Sequence, residues 1–332
     1  MQRIGVIGGG AWGTSLALLA HRAGRSVALW AREPEVVEAV NRDHRNETYL
    51  PGVALDPGIR GVSGLDEAID ADAVIVAVPA QHLRPTLAAV AAAWPVGVPA
   101  VICAKGIERG TCALMSEVVE DALPGVPLAV LSGPSFATEV ARDLPTAVVL
   151  AAAEASLRAE LPAALSTPHF RIYSTDDVVG AELGGAVKNV LAIACGIVRG
   201  RRLGDNGRAA LITRGLAETA RLAAAKGARA ETLMGLSGIG DLVLTCSAMR
   251  SRNFSLGAAL GRGIALRQIM DARISVAEGV HSAEAVCALA GRLDVDMPIC
   301  RAVDDVLNHG ADIDATIAAL LARPPRAEAL NA

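Results

Sequence analysis

The sequence predicts an α/β fold in which an N-terminal doubly wound parallel sheet is followed by an all-helical C-terminal domain. Three observations predict it: short apolar runs alternate with helical stretches through the first half, a glycine-rich loop joins the first run to the first helix, and helical stretches dominate after about residue 176. Apolar runs separated by helices are typical of parallel strands that are covered on both faces. We therefore place the two domains at residues 1–176 and 177–332.

The predicted elements follow from where apolar residues cluster along the chain. In the first half, short runs rich in valine, isoleucine and leucine end at glycine, proline or polar residues, as buried strands do. In the second half, alanine and leucine recur at helical spacing. The predicted strands are residues 2–7, 26–30, 73–78, 100–103, 128–131 and 147–150, and the predicted helices include residues 13–23, 181–198, 208–225, 255–260, 282–293 and 303–307.

Composition excludes several classes of protein. The chain has 332 residues, a hydrophobic content of 52% and a net charge of −4, which together argue against disorder. It has no basic block and an aromatic content of 2%, so we expect no binding of nucleic acid. None of the six cysteines forms a C-x-x-C pair, so we expect buried free thiols and no metal site.

One uncharged stretch, residues 85–104, is long enough to mimic a membrane span. It contains Pro95, Gly97 and Pro99, and prolines break a helix. We therefore interpret it as the end of a helix, a turn and a buried strand, with no membrane span. Because the first residues lack the long apolar segment of a signal peptide, we expect a cytoplasmic protein.

The glycine-rich loop carries the most specific local motif. Gly8, Gly10 and Gly13 have the spacing G-x-G-x-x-G, directly after a predicted strand and at the start of a predicted helix. In such loops the first glycine allows a tight turn, the second lets a diphosphate approach the backbone, and the third lets the helix pack on the strand. This context predicts a Rossmann-like dinucleotide-binding domain. The alternative is a glycine-rich turn that binds no ligand.

The residues after the second predicted strand bear on the choice of cofactor. An acidic residue there binds the ribose hydroxyls of NAD, whereas an arginine accommodates the 2′-phosphate of NADP. Arg32 and Glu33 follow this strand, so we predict NADP as the preferred cofactor and keep NAD as the alternative. Arg32 could instead stack on adenine or face solvent.

A lysine inside an apolar helix is the candidate for acid–base chemistry. Lys188 lies in the predicted helix 181–198, and Gly184 one turn earlier is expected to leave the same face open for a ligand. Desolvation lowers a lysine pKa, so that its amine could exchange a proton with an alcohol or a ketone. The alternative is a buried structural ion pair. Asp241 lies among glycines and could accept a hydrogen bond from Lys188, or it could cap a helix.

Residues 250–253 gather guanidinium, hydroxyl and amide donors in four consecutive positions. Such a set suits a phosphate dianion. A solvated surface turn is the alternative interpretation.

Several of these segments together resemble one known family. The blocks at residues 8–13, 105–108, 132–137, 184–189, 208–218, 240–246 and 251–253 occur in order. They closely resemble bacterial NAD(P)-dependent glycerol-3-phosphate dehydrogenases over residues 4 to about 310. The resemblance implies reversible reduction of dihydroxyacetone phosphate to sn-glycerol 3-phosphate with NADP or NAD, a reaction that feeds glycerophospholipid synthesis. Separately, the long apolar helices make a homodimer reasonable.

The resemblance implies a role for individual residues. Lys188 would donate the proton in reduction, Asp241 would orient it, and Lys105 would hold the substrate and touch the cofactor. The other substrate-binding residues would be Gly133, Ser135, Asn189, Thr245, Ser251, Arg252 and Asn253. The cofactor would lie along Gly8, Gly10, Ala11, Trp12, Gly13, Arg32, Lys105, Ala137, Arg252, Val276 and Glu278.

Two other functions compete with this one. A related two-domain dehydrogenase could act on a hydroxy acid that lacks phosphate, but it would not need the donors at residues 251–253. A non-catalytic dinucleotide sensor would keep the glycine loop, but it would have no use for Lys105, Lys188 and Asp241 together.

Overall fold

The computed structural model describes residues 1–272 and 278–324, which form two compact units. The first unit comprises Met1–Ala104 and Met115–Val178, and the second comprises Lys105–Leu114 and Val179–Ala332. Residues 105–114 therefore pack with the helical unit, although they precede the predicted domain boundary in the chain.

The first unit is built on an eight-stranded sheet with the strand order β3-β2-β1-β4-β5-β6-β7-β8. The direction of the chain across the sheet reverses between β1 and β4, and in such sheets ligands bind at the carboxyl ends of the strands near this point. The predicted α/β class is confirmed. The strands are β1 (Arg3–Ile7), β2 (Ser26–Trp30), β3 (Ile59–Val62), β4 (Ala73–Val76), β5 (Ala100–Ile102), β6 (Leu128–Ser132), β7 (Thr146–Ala151) and β8 (Phe170–Thr175).

Three features of the sheet differ from the prediction. β3 was not predicted, since its four residues include Arg60 and Gly61 and give a weak apolar signal. β8 was not predicted either, since polar residues interrupt its apolar run. β7 was expected to be parallel, but it pairs antiparallel with β6, with Leu131 opposite Leu150. The spacing of apolar residues indicates that a strand is buried but not which way it runs, so the sequence pattern does not reveal the reversed direction of β7.

Helices cover the sheet of the first unit. Val6, Ile75 and Val101 have no exposed surface, as expected for parallel strands that are buried on both faces. Residues 85–104 contain the end of a helix, a turn and a buried strand, which confirms that prediction. The helices are α1 (Ala11–Arg22), α2 (Pro34–Asp43), α3 (Leu65–Ile69), α4 (Leu83–Ala88), α5 (Met115–Ala122), α6 (Ala137–Ala141) and α7 (Ala155–Leu165).

The second unit is helical in its described residues and is centred on one long helix. This helix, α8, is apolar and long enough to cross a membrane by length and composition alone, but its apolar window is wholly buried in the protein. The helices are α8 (Val178–Gly200), α9 (Gly204–Ala225), α10 (Ala230–Leu233), α11 (Asp241–Ser247), α12 (Arg252–Gly261), α13 (Leu266–Asp271), α14 (Glu278–Arg292), α15 (Pro298–Asn308) and α16 (Ile313–Leu321).

Glycines allow α8 and α12 to cross with their backbones in contact. A Cβ atom on Gly196 would lie 2.2 Å from the carbonyl oxygen of Phe254, and one on Gly257 would lie 2.1 Å from that of Ile193. Any side chain at these positions would push the helices apart. The close crossing brings the first residues of α12 to the middle of α8, where Lys188 lies.

A buried carboxylate joins α9 to α15. Glu218 in α9 is 2% exposed, and its carboxylate accepts hydrogen bonds from the backbone N–H groups of Ile299 at 2.8 Å and Cys300 at 3.2 Å. These donors lie in the first turn of α15, where a helix favours an anion. Burial is nevertheless the larger effect, and it raises the pKa of Glu218 to about 7.

We expect Glu218→Gln to remove a pH dependence of stability. Because folding raises the pKa of Glu218 from 4.5 to about 7, the folded chain holds this proton more tightly, and stability falls as pH rises through that range. A shift of that size corresponds to roughly 3 kcal/mol. The Tm of the wild type should therefore fall relative to that of the variant between about pH 5 and about pH 8. Parallel Tm curves would contradict the assignment.

Candidate active site

Two lysines of the second unit share one buried carboxylate. The ammonium nitrogen of Lys188 lies 2.6 Å from Oδ1 of Asp241, and that of Lys105 lies 2.7 Å from Oδ2. Lys188 also donates to the hydroxyl of Thr245 at 2.9 Å, and that hydroxyl lies 3.2 Å from Oδ1 of Asp241. Asp241 is 1% exposed and Lys188 is 8% exposed. The cluster therefore holds two ammonium groups and one carboxylate with little exposure to solvent.

Burial and neighbouring charges set the protonation of the cluster. Burial lowers the pKa of Lys188 to about 8; Lys105 lowers it as well, whereas Asp241 raises it. Burial alone would raise the pKa of Asp241, but the two ammonium groups outweigh it and hold this pKa below its usual value. Near neutral pH, Lys188 is therefore protonated beside an ionised carboxylate, and it releases its proton far more readily than an ordinary lysine.

A chain of buried amides lies next to this cluster. The Asn189 side chain donates to the carbonyl of Lys105 at 3.2 Å and accepts from the Asn253 side chain at 2.9 Å. Asn253 in turn accepts from the backbone N–H of Gly279 at 3.1 Å. Because a backbone carbonyl lies at one end and a backbone N–H at the other, the orientation of both amides is determined. Among the described residues, each amide nitrogen donates one side-chain hydrogen bond.

The predicted phosphate donors lie at the start of α12. Ser251 is the N-cap residue, and its hydroxyl accepts from the backbone N–H of Phe254. Arg252 is the first residue of the helix and is exposed, whereas Asn253 is buried. The positive end of the helix adds to these donors, so this position suits an anion. Its proximity to Lys188 through Asn189 was not predicted.

One reason given for the catalytic interpretation of Lys188 is wrong. Gly184 was expected to leave a helix face open for a ligand. A Cβ atom at Gly184 would instead lie 2.4 Å from the backbone oxygen of Ser237. Gly184 therefore allows α8 to approach the residues that lead into Asp241, and the space beside it is filled by protein.

In the first unit, the glycine loop lies between β1 and α1. Gly8 has a φ of +125°, which a residue with a side chain rarely adopts, and a Cβ atom on Gly13 would lie 1.8 Å from the oxygen of Gly8. A Cβ atom on Gly10 would meet nothing within 4 Å. The loop thus has open space at the N-terminus of α1, where backbone N–H groups favour a phosphate. These residues fit a dinucleotide.

The neighbouring loop, residues 133–137, is tied to α1. Gly133 has a φ of +133°, and Ser135 donates to its carbonyl at 3.0 Å. Ser15 of α1 lies 2.8 Å from the carbonyl oxygen of Ala137 and 2.7 Å from that of Ala11. Ser15 therefore connects two predicted cofactor residues, although no motif in the sequence singled it out.

Arg32 and Glu33 form an ion pair at the end of β2. The guanidinium of Arg32 donates to one oxygen of Glu33 at 2.7 Å and 3.1 Å. The Arg32 side chain is nevertheless 74% exposed. The two residues that were considered for NADP and NAD are thus held together.

The structure places the other predicted residues as follows. Trp12 lies in the first turn of α1, and its indole nitrogen is buried with no hydrogen-bond partner among the described residues. Glu278 is the first residue of α14. Val276 lies outside the described residues.

A sheet unit with this glycine loop and a helical unit with a buried, readily deprotonated lysine define a two-domain NAD(P)-dependent dehydrogenase. Family profiles give the particular assignment. The profile for the N-terminus of NAD-dependent glycerol-3-phosphate dehydrogenase matches residues 3–158, and the profile for its C-terminus matches residues 177–318. The chain belongs to the NAD-dependent glycerol-3-phosphate dehydrogenase family, which confirms the family predicted from the sequence.

Individual relatives agree with this assignment. Glycerol-3-phosphate dehydrogenase [NAD(P)+] of Rhodospirillum rubrum is 59% identical over 99% of this chain and 94% of the relative. The protein of the same name from Caulobacter vibrioides is 55% identical over 99% of both chains. The crystal structure of glycerol-3-phosphate dehydrogenase from Coxiella burnetii superimposes with a TM-score of 0.93 at 38% identity, covering 97% of this chain and 99% of the other.

Proposed function

We propose that this chain catalyses the NAD(P)H-dependent, reversible reduction of dihydroxyacetone phosphate to sn-glycerol 3-phosphate and so feeds glycerophospholipid synthesis. The observation that carries this proposal is the Lys188–Asp241–Lys105 cluster, buried within a helical unit beside a helix N-terminus that suits a phosphate. Membership of the family supports the substrate and the cofactor class.

Lys188 is the proposed acid and base. In reduction, negative charge develops on the oxygen of the substrate carbonyl, and the ammonium of Lys188 stabilises this charge and donates a proton to it. In oxidation, the neutral amine takes the hydroxyl proton. A pKa of about 8 suits both directions near neutral pH, because the donor and the acceptor forms are both populated.

Asp241 and Lys105 support this proton transfer. Asp241 fixes the side chain of Lys188 through a short hydrogen bond and offsets its charge. Lys105, on the other oxygen of Asp241, places a second cation in the cluster. We propose that it holds the substrate oxygen atoms, with Asn189 and Thr245 as further polar contacts.

The substrate phosphate is assigned to the start of α12. Hydroxyl, guanidinium and amide donors lie there on Ser251, Arg252 and Asn253. The N-terminus of the helix adds its partial positive charge. A phosphate bound away from the reacting carbon orients the substrate and contributes binding energy to the reaction.

The glycine loop is assigned to the cofactor. Gly8, Gly10, Ala11, Trp12 and Gly13 would hold the diphosphate at α1. The cofactor, when bound, supplies the hydride that reduces the carbonyl carbon. We propose a preference for NADP, because Arg32 presents an exposed guanidinium while Glu33 is already engaged by Arg32.

The direct test is oxidation of NADPH and of NADH by the purified chain with dihydroxyacetone phosphate. Turnover with dihydroxyacetone phosphate, and a higher kcat/KM for NADPH than for NADH, are the expected results. Cofactor binding without turnover would favour a dinucleotide sensor. Turnover of a phosphate-free 2-keto acid instead of dihydroxyacetone phosphate would favour a hydroxy-acid dehydrogenase.

We expect Arg252→Ala to weaken the use of dihydroxyacetone phosphate selectively. Because hydrogen bonds between charged groups contribute more binding free energy than neutral ones, loss of this guanidinium should raise the KM for dihydroxyacetone phosphate by about 10- to 100-fold. Turnover of phosphate-free dihydroxyacetone should change by less than about 3-fold, because the reacting carbonyl does not rely on this contact.

The control for this comparison is Arg262→Ala, which removes an exposed arginine just after the other end of the same helix. It should leave both activities unchanged. Equal losses on the two ketones for Arg252→Ala would refute the phosphate assignment.

We further propose that the chain is cytoplasmic and forms a homodimer. Large apolar side chains such as Met234, Met249 and Leu321 are more than half exposed, which supports self-association. Light scattering on the purified protein tests the oligomeric state.

A further inference from the structure

We propose that Asn46 is a positioning residue for cofactor binding. Its side-chain amide fixes the peptide between Gly9 and Gly10, and this holds the Gly10 N–H toward the phosphate position of the glycine loop. The inference rests on the proposed function, since it takes the ligand of this loop to be a dinucleotide.

Asn46 is completely engaged by the glycine loop and its own turn. It is 1% exposed, and its amide nitrogen donates to the carbonyl of Gly9 at 2.8 Å and to the hydroxyl of Thr14 at 2.8 Å. Its amide oxygen accepts from the backbone N–H of Tyr49 at 3.2 Å. Both hydrogens and the oxygen therefore have partners within the first unit, and the amide orientation is determined.

The hydrogen bond from Asn46 to the Gly9 carbonyl also determines the direction of the Gly10 N–H. The carbonyl of Gly9 and the N–H of Gly10 belong to the same planar trans peptide, so they point in opposite directions. With the Gly9 carbonyl directed at the buried Asn46, the Gly10 N–H points away from the interior. A Cβ atom on Gly10 would meet nothing within 4 Å, so there is room for a ligand at this residue.

The glycines of this loop need a contact that fixes their backbone conformation. Glycine adopts many backbone conformations at little cost, and Gly8, Gly9 and Gly10 are consecutive. The Thr14 hydroxyl is a second donor to the Gly9 carbonyl, at 3.3 Å. Without Asn46, the carbonyl of Gly9 would lose the shorter of its two hydrogen bonds, and the peptide would be less firmly oriented. Phosphate binding would weaken, because a preorganised donor binds a phosphate better than a mobile one.

A second asparagine in the same unit, which also holds a glycine backbone, provides a control. Asn41 of α2 donates to the carbonyl of Gly61 at 2.9 Å and accepts from the N–H of Gly61 at 2.8 Å. Its amide also holds a glycine backbone, but in β3 and not in the glycine loop. Asn46→Leu and Asn41→Leu each remove hydrogen bonds to a glycine backbone without adding charge, although Asn41 is exposed and Asn46 is buried. A merely structural role of Asn46 predicts a lower Tm for Asn46→Leu without a selective change in the constants for NADPH.

The experiment measures the Kd for NADPH by fluorescence titration without substrate, together with the KM values for NADPH and dihydroxyacetone phosphate. Asn46→Leu should raise the Kd and KM for NADPH by about 10-fold or more, as expected for a lost charge-assisted contact to phosphate. The KM for dihydroxyacetone phosphate should change by less than about 3-fold, because neither Asn46 nor the glycine loop is among the proposed substrate contacts. Asn41→Leu should change all three constants by less than about 3-fold.

An unchanged Kd for NADPH in Asn46→Leu, or an equal rise in Asn41→Leu, would overturn the inference. If Asn46→Leu does not fold, Thr14→Val decides, since it removes the second donor to Gly9 and should raise the same Kd by about 3-fold or more. An unchanged Kd there would also overturn it. A wild-type chain that binds NADPH but does not turn over dihydroxyacetone phosphate would refute the proposed function and leave the role of Asn46 measurable.

Discussion

Lys188→Met is expected to lower kcat for dihydroxyacetone phosphate reduction by about 100- to 10,000-fold, the range that general acid catalysis supplies. Methionine fills a similar apolar volume in α8 but carries no proton and no charge. Removing the ammonium leaves the carboxylate of Asp241 with Lys105 as its remaining cation in the cluster. The Kd for NADPH should change by less than about 3-fold, because the glycine loop is untouched.

The pH profile separates a catalytic role from a structural one. Because burial lowers the pKa of Lys188 to about 8, the rate of reduction by the wild type should fall as pH rises through that value. The residual activity of Lys188→Met should lack this inflection. The matched control is Lys226→Met at the end of α9, which should keep both the rate and the inflection. Unchanged turnover in Lys188→Met would remove Lys188 from the mechanism.

The glycine loop could be predicted because its signal is local. Three glycines at fixed spacing lie within six residues, directly after a predicted strand and at the start of a predicted helix. This combination is compatible with few other conformations, and the structure has β1 before the loop and α1 after it. The apolar runs gave most of the parallel strands for the same reason. β7 shows the limit: its composition indicates a buried strand, but the apolar pattern does not reveal in which direction that strand runs.

The contacts of the site could not be predicted from spacing. Lys188 and Asp241 are 53 residues apart, and Lys105 and Asp241 are 136 residues apart. Only the packing of α8 on α11 and of residues 105–114 on the helical unit brings them together. A lysine in an apolar helix identified the candidate and Asp241 was one possible partner, but the alternative of a helix cap stayed open until the fold brought the two side chains together.

Positioning residues left the weakest signal. Asn46 lies 37 residues after Gly9, and Ser15 lies 122 residues before Ala137. Both are common polar residues at positions without a motif. What distinguishes these two residues is that their polar side chains are buried and hydrogen-bonded, and burial of a polar residue is visible only in the structure.

Asp241→Asn is expected to lower kcat by about 100- to 1,000-fold and to shift the pH dependence of what remains. Asparagine has the same shape as aspartate, but it is neutral. Its amide NH₂ group is a hydrogen-bond donor, so it cannot accept a hydrogen bond from an ammonium group. The anion that raises the pKa of Lys188 is then gone, whereas burial and the charge of Lys105 still lower that pKa. The proton donor should therefore be lost at a lower pH.

The measurement is kcat/KM for reduction against pH, with NADPH saturating. The wild type should show its inflection near the pKa of about 8, and Asp241→Asn should show it at least about one pH unit lower, because losing an opposite charge in contact shifts a pKa by one to three units. Asp304→Asn is the control, since Asp304 is also buried but bonds to Asn308 in α15. It should lower Tm without moving the inflection. An inflection that stays near pH 8 in Asp241→Asn would show that Asp241 does not set the proton affinity of Lys188, and the cluster would then act through geometry alone.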